Sequence, residues 1–193
     1  MTMLDHRKGD WIQTFTGGRF WPLDPRAEEI HLEDVAHALS QLCRFTGHTR
    51  AFYSVAQHSV MVSRMLGRRE DQRWGLLHDA AEAYLGDQAR PIKGLLYLGG
   101  GTRLLRFHLV EERVLGCVAE RFGLPGSMPG TVRLADRQAL RAEAEALMGP
   151  AAQEWACKLP EYLPRVTIEP WGPERAKREF LARFDELFGE GAR

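Results

Sequence analysis

Residues 77–87, Leu77-His78-Asp79-Ala80-Ala81-Glu82-Ala83-Tyr84-Leu85-Gly86-Asp87, decide how this chain reads. A histidine and an aspartate stand side by side inside an apolar pattern in which Trp74, Leu77, Ala80, Ala81 and Tyr84 recur at helical spacing. The pattern predicts one helix over about 70–84, ended by Gly86, with Pro91 blocking its resumption. Glu82 follows His78 by four positions and Asp79 by three. Three ionisable side chains therefore share one helix surface, roughly 5–6 Å apart at Cβ. Desolvating two neighbouring carboxylates is costly unless a cation compensates. Alone, the His-Asp pair would read as a solvated polar face beside a core histidine.

Further helices flank this segment. Val35, Ala38, Leu39 and Leu42 predict one from Leu32 onward. Residues 44–53 are a polar, aromatic connection. Ser54 then opens a helix with Gln57 as its capping-box partner, and Gly67 stops it. Downstream, Gly99-Gly100-Gly101 is a flexible break, and Thr102 caps a long helix to about Phe122. Another helix covers about Thr131 to Met148. Residues 149–172 carry four prolines and read as an irregular arm before a last amphipathic helix, Pro173 to Phe188. Near the start, residues 11–25 predict a hairpin with a two-residue turn at Gly17-Gly18. The fold class is all-α: a bundle of five to six helices with a small N-terminal β-hairpin. Its parts are an extension at 1–29, a core at 30–150, and an arm with a packed C-terminal helix at 151–193.

Composition narrows the function classes. With 193 residues, 44% hydrophobic and 27% charged, the chain fits a soluble globular protein. Its formal net charge is zero, which removes any global electrostatic case for duplex nucleic acid or an acidic membrane face. Cys43, Cys117 and Cys157 form no CxxC pair and read as reduced thiols, small core residues of a cytoplasmic protein. Met1 to Asp10 lacks the apolar run of a signal peptide, and no window approaches a membrane span. The aromatic hairpin and the proline-rich arm offer contact surface for a homo-oligomer, dimer or hexamer.

Two other placements alter the reading of the His-Asp pair. His58 lies in the Ser54-capped helix among Val55, Val60 and Met61, and Asp136 lies in Arg133-Leu134-Ala135-Asp136 of a later helix. Two imidazoles and two carboxylates from separate helices make a sensible ligand set for one divalent ion. Their mixed N/O character suits Mn, Fe, Co, Ni or Zn better than Mg.

The order His58, His78-Asp79, Asp136 resembles that of the HD-domain metal-dependent phosphohydrolases, the bacterial 5′-deoxynucleotidases and related phage dATP triphosphohydrolases above all. Arg44-Phe45, Ser54-Val55-Ala56-Gln57-His58-Ser59, His78-Asp79-Ala80-Ala81-Glu82, Gly86-Asp87 and Pro91-Ile92-Lys93 carry the resemblance, over about residues 30–150. It implies an HD-domain helical bundle in which His58, His78, Asp79 and Asp136 hold the metal. Arg44 would grip the phosphate, and Glu82 would position or deprotonate the attacking water. Asp87 would serve the leaving group or the sugar hydroxyl, and Lys93 would contact phosphate. Phe45 departs from the tryptophan that follows the arginine in the deoxynucleotidases and helps reject a 2′-hydroxyl, which leaves selectivity against ribonucleotides open.

The implied activity is metal-dependent removal of phosphate from a deoxynucleoside 5′-monophosphate. The alternatives are release of triphosphate from a dNTP such as dATP, or a non-enzymatic nucleotide-sensing module. Phosphate monoester hydrolysis needs up to ~10²¹-fold acceleration, against about 10²–10⁴ from a general base, so the metal and Arg44 must carry most of it. Of the other histidines, His48 could reach the phosphate or tie down its own loop. His37 reads as structural or exposed, and His6, His31 and His108 carry no constellation. Gly99-Gly100-Gly101-Thr102 reads as a linker or lid more readily than as a phosphate cradle.

Overall fold

The computed structural model describes residues 7–100, 103–153, 155, 157–160, 167–189 and 191. The N-terminal hairpin pairs β1 (Ile12–Gln13) with β2 (Arg19–Phe20), Ile12 opposite Phe20. Its loop is wider than the expected Gly17-Gly18 turn. Gly17 N–H donates to Thr14 O at 3.0 Å, so Thr14 to Gly17 form the turn and Gly18 returns the chain. Phe20 is fully buried and stacks on Tyr84 at 3.9 Å, which fixes the hairpin to this chain's own core. Phe15 stacks on His37 at 3.7 Å.

The helices follow as α1 (Leu32–Gln41), α2 (Val55–Met65), α3 (Arg69–Leu77), α4 (Glu82–Leu85) and α5 (Arg90–Lys93). Then come β3 (Tyr97–Gly100), β4 (Arg103–Arg106), α6 (Phe107–Arg121), α7 (Gly130–Leu147) and α8 (Pro173–Phe188). The architecture is mainly helical with two small antiparallel hairpins. Three expectations need correction. The long helix does not begin at Thr102: Arg103–Arg106 pair with Tyr97–Gly100, and the helix starts at Phe107. Cross-strand hydrogen bonds satisfy that backbone instead of a helical turn; Gly101 and Thr102 themselves lie outside the described residues. The helix over 70–84 is interrupted at His78–Ala81. There Ala80 N–H bonds Leu77 O at 3.0 Å and Glu82 N–H bonds Asp79 O at 2.9 Å, the tighter three-residue spacing. The cysteines are free but half-buried, not core.

α2 lies at the centre, with α1, α3, α7 and α8 packed around it. Val55, Ala56, Val60 and Val62 are fully buried, as are Val35, Leu39, Leu76 and Leu77 on its neighbours. α8 lays Ala176, Phe180, Phe184 and Leu187 onto α1, α2 and α3. Ser54 caps α2 through Gln57 N–H at 3.2 Å, as its sequence predicts. The reciprocal half of the capping box is not made. Gln57 instead donates to Glu169 O at 2.7 Å and accepts from Trp171 N–H at 2.8 Å, so its amide ties down the chain leading into α8. Among the described residues no helix is long and apolar enough to cross a membrane.

Candidate metal centre

α2 and α3 approach unusually closely at Gly75. A Cβ there would stand 2.6 Å from Leu66 Cδ1 and 3.1 Å from Ser63 Cα. Glycine lets the two helix backbones meet, and this brings His58 on α2 opposite His78 at the end of α3. The tightened turn after Leu77 then sets Asp79 beside them, and α7 delivers Asp136 across the gap.

Both imidazoles are fixed through Nδ1. His78 Nδ1 donates to Gly75 O at 2.8 Å, and His58 Nδ1 lies 2.6 Å from Glu143 Oε1. With Nδ1 on an acceptor, each ring turns Nε2 inward. The two Nε2 atoms face each other at 3.2 Å. Asp79 Oδ2 lies 3.2 Å from that of His78 and 3.5 Å from that of His58. Asp136 Oδ1 lies 3.3 Å from His58 Nε2 and 3.9 Å from His78 Nε2. Inward-facing nitrogen lone pairs and carboxylate oxygens repel unless a proton or a cation sits among them.

The electrostatics follow. Burial and Arg44 work against a charged His58, but Glu143 and Asp136 outweigh them and raise it to about 9. A proton there takes the place of a cation. Burial alone would push Asp79 up; His78, His58 and Arg44 outweigh it and hold that carboxyl far below its usual range. Asp136 is likewise lowered, its burial overcome by His58 and His78. Arg44, also buried, donates Nε–H to Glu143 Oε2 at 3.1 Å and lies 3.5 Å from Asp79 Oδ2. Glu143 thus holds one inward-facing histidine and the arginine at once, with Tyr53 O–H donating to its Oε1 at 3.0 Å.

A cavity of about 710 Å³ opens from this cluster, within the usual range for small-molecule sites. Arg44, Phe45, Asp79, Glu82, Asp87, Lys93 and Asp136 line it. Glu82 is buried, and its Oε2 has no hydrogen-bond partner among the described residues. Burial, reinforced by the charges of Asp79 and Asp87, pushes its carboxyl well above the usual range. Asp87 is raised too, chiefly by burial. Gly86, at φ 77°, ends α4 and turns the chain so that Asp87 enters the cavity. Lys93 pairs with Glu111 and lies 3.8 Å from Glu82 Oε1.

No protein-family model matches the chain. The uncharacterized protein YfdR of Escherichia coli K12 is 33% identical over 180 residues, covering 92% of this chain and 95% of its own length. An uncharacterized protein of Rhodobacter capsulatus is 34% identical over 154 residues, 74% of this chain and 75% of its own length. The chain belongs to the YfdR family. Both relatives are uncharacterized, so kinship to YfdR establishes common descent and the chemistry must be argued from geometry.

In this YfdR-family chain the structure gathers nine of the ten sequence-predicted site residues at the cluster or its cavity: His58, His78, Asp79, Asp136, Arg44, Phe45, Glu82, Asp87 and Lys93. His48 is the one not gathered there: it is exposed and outside that lining, and it follows Phe45 and Thr46, which adopt left-handed backbone at φ 55° and 53°. Sequence reasoning missed Glu143, Glu111 and Trp155. Glu143 had a signal: it follows Asp136 by seven positions on α7, two helical turns along the same face. Trp155 and Glu111 had none, for they arrive from distant segments.

Proposed function

We propose that this chain is an HD-type, metal-dependent phosphohydrolase that removes the 5′-phosphate from a 2′-deoxynucleoside monophosphate. The observation that carries the reading is the inward convergence of both Nε2 atoms and two carboxylates, with unpartnered Glu82 Oε2 buried close by. The half-buried carboxylates of Asp79 and Asp136 facing two imidazole nitrogens fit a divalent cation, and the donor set suits Mn, Co, Zn, Fe or Ni. Such an ion would supply polarisation of the phosphoryl group and a more acidic water.

The chain's own residues divide the remaining work. Arg44 offers a planar fork to two phosphoryl oxygens, its orientation fixed by Glu143. Glu82, with its raised affinity for a proton, accepts one from the attacking water. As the P–O5′ bond breaks, Asp87 returns a proton to the leaving oxygen, a role its raised carboxyl suits.

The test is an assay with each deoxynucleoside monophosphate and triphosphate in the presence of Mn²⁺ or Co²⁺. Inorganic phosphate from a monophosphate is expected. Tripolyphosphate from a triphosphate would transfer the reading to a dNTP triphosphohydrolase, and no release of either with any metal would refute both. His58→Ala and Asp79→Asn should lose bound metal, read by elemental analysis, together with activity.

A further inference from the structure

The cavity joins the charged groups of the cluster to an aromatic pair. Phe45 and Trp155 line it together, with ring centroids 6.4 Å apart and planes inclined at 49°, and Arg44 Cζ lies 5.7 Å from the Phe45 ring. Phe45 comes from the turn after Arg44, where Phe45 and Thr46 both hold left-handed backbone. Two such residues in succession, one bulky and one β-branched, are strained and persist where the surroundings over-determine them, as at functional sites. Trp155 comes from the irregular stretch after α7 and remains 38% exposed, a large ring with open cavity beside it. Gln153 and Arg90 line the same cavity. A ligand matching this lining carries both an anion and a planar, weakly polar ring.

We propose that Trp155, with Phe45, forms the wall on which the substrate's heterocyclic base stacks, so that a residue from beyond α7 belongs to the substrate site. This rests on the nucleotide phosphohydrolase reading and specifies its substrate contact. Aromatic stacking tolerates any base, so the wall selects for the presence of a base more than for its identity. The stack holds the base while Arg44 holds the phosphate.

The experiment compares wild type, Trp155→Ala and Trp155→Phe by steady-state kinetics on 2′-deoxyadenosine 5′-monophosphate and base-less 2-deoxyribose 5-phosphate. Calorimetric titration with 2′-deoxyadenosine, which cannot turn over, reads binding alone. Trp155→Ala should raise KM for the nucleotide and Kd for the nucleoside by roughly 5- to 150-fold, the range for losing one aromatic stack. The kcat/KM ratio between nucleotide and base-less substrate should fall by the same factor, and Trp155→Phe should recover most of it. An unchanged KM and Kd in Trp155→Ala, or an equal loss on the base-less substrate, would overturn the stack while leaving the hydrolase reading intact. Wild type that binds the nucleoside through Trp155 but hydrolyses nothing would refute the hydrolase and keep the stack. Wild type that does not bind the nucleoside overturns the stack.

Discussion

Glu82 bears a buried oxygen without a partner, set between the charges of Asp79 and Asp87. Leaving such a group unsatisfied costs about 1–3 kcal/mol or more, a cost a purely structural site has no reason to keep. Glu82→Gln should therefore retain metal by elemental analysis and hold or raise the melting temperature, while turnover falls about 10²–10⁴-fold. Full activity in Glu82→Gln would remove it from proton transfer. His58 gives a second prediction. In the metal-free chain its affinity for a proton is raised to about 9, against about 6.5 unfolded. A raised basic group adds stability that is fully present below the unfolded value and is lost as pH rises through the folded one. Chelator-treated protein should thus lose up to about 3 kcal/mol between pH 6.5 and 9 in urea titrations. Metal-loaded protein, where a cation replaces that proton, should lose much less over the same range; equal profiles would contradict the assignment.

Between elements, the α2–α3 crossing decides whether a site exists at all. Gly75→Ala would gain about 1 kcal/mol of helix propensity. Its Cβ would, however, press on Ser63 backbone at 3.1 Å and 3.2 Å, which cannot swing aside as the tip of Leu66 can. Overpacking of this kind costs typically about 1–3 kcal/mol, so the net effect should be destabilising. Because the same crossing sets the 3.2 Å separation of the histidine nitrogens, metal affinity should fall as well. A Gly75→Ala protein with unaltered urea midpoint and unaltered metal Kd would show that the approach has slack. The single turns α4 and α5 belong to this level too. Four residues each cannot display a helical period, so they were invisible as separate elements, and the break at His78–Ala81 was hidden inside one continuous apolar stripe.

Across the whole molecule, none of the described α8 residues lines the cavity, yet α8 packs on α1, α2 and α3, and α2 carries His58. Phe180 and Phe184 are fully buried against α1, α2 and α3. Arg183 reinforces the contact by donating to Ser63 Oγ at 3.0 Å on α2. Phe180→Ala should cost about 3–5 kcal/mol, a large share of the 5–15 kcal/mol total typical of a domain. Measured at low temperature, where the variant remains folded, metal affinity should stay near wild type. A much smaller loss of stability would mean that α8 is only loosely attached.

The sequence by itself determined the amphipathic helices, the cap at Ser54, the proline that opens α8, and the companionship of His78 with Asp79. Each is set by neighbours within a few positions, and helical periodicity records such neighbours directly. Tertiary structure alone decided that Glu143 would hold His58 across 85 residues, that Gln57 would turn from its cap to the chain before α8, and that Arg103–Arg106 would pair as a strand. It also carried Trp155 to the cavity beside Phe45. In these cases a local preference competed with a contact between distant segments, and the distant contact prevailed because burial and hydrogen-bond satisfaction are settled only when the chain is packed.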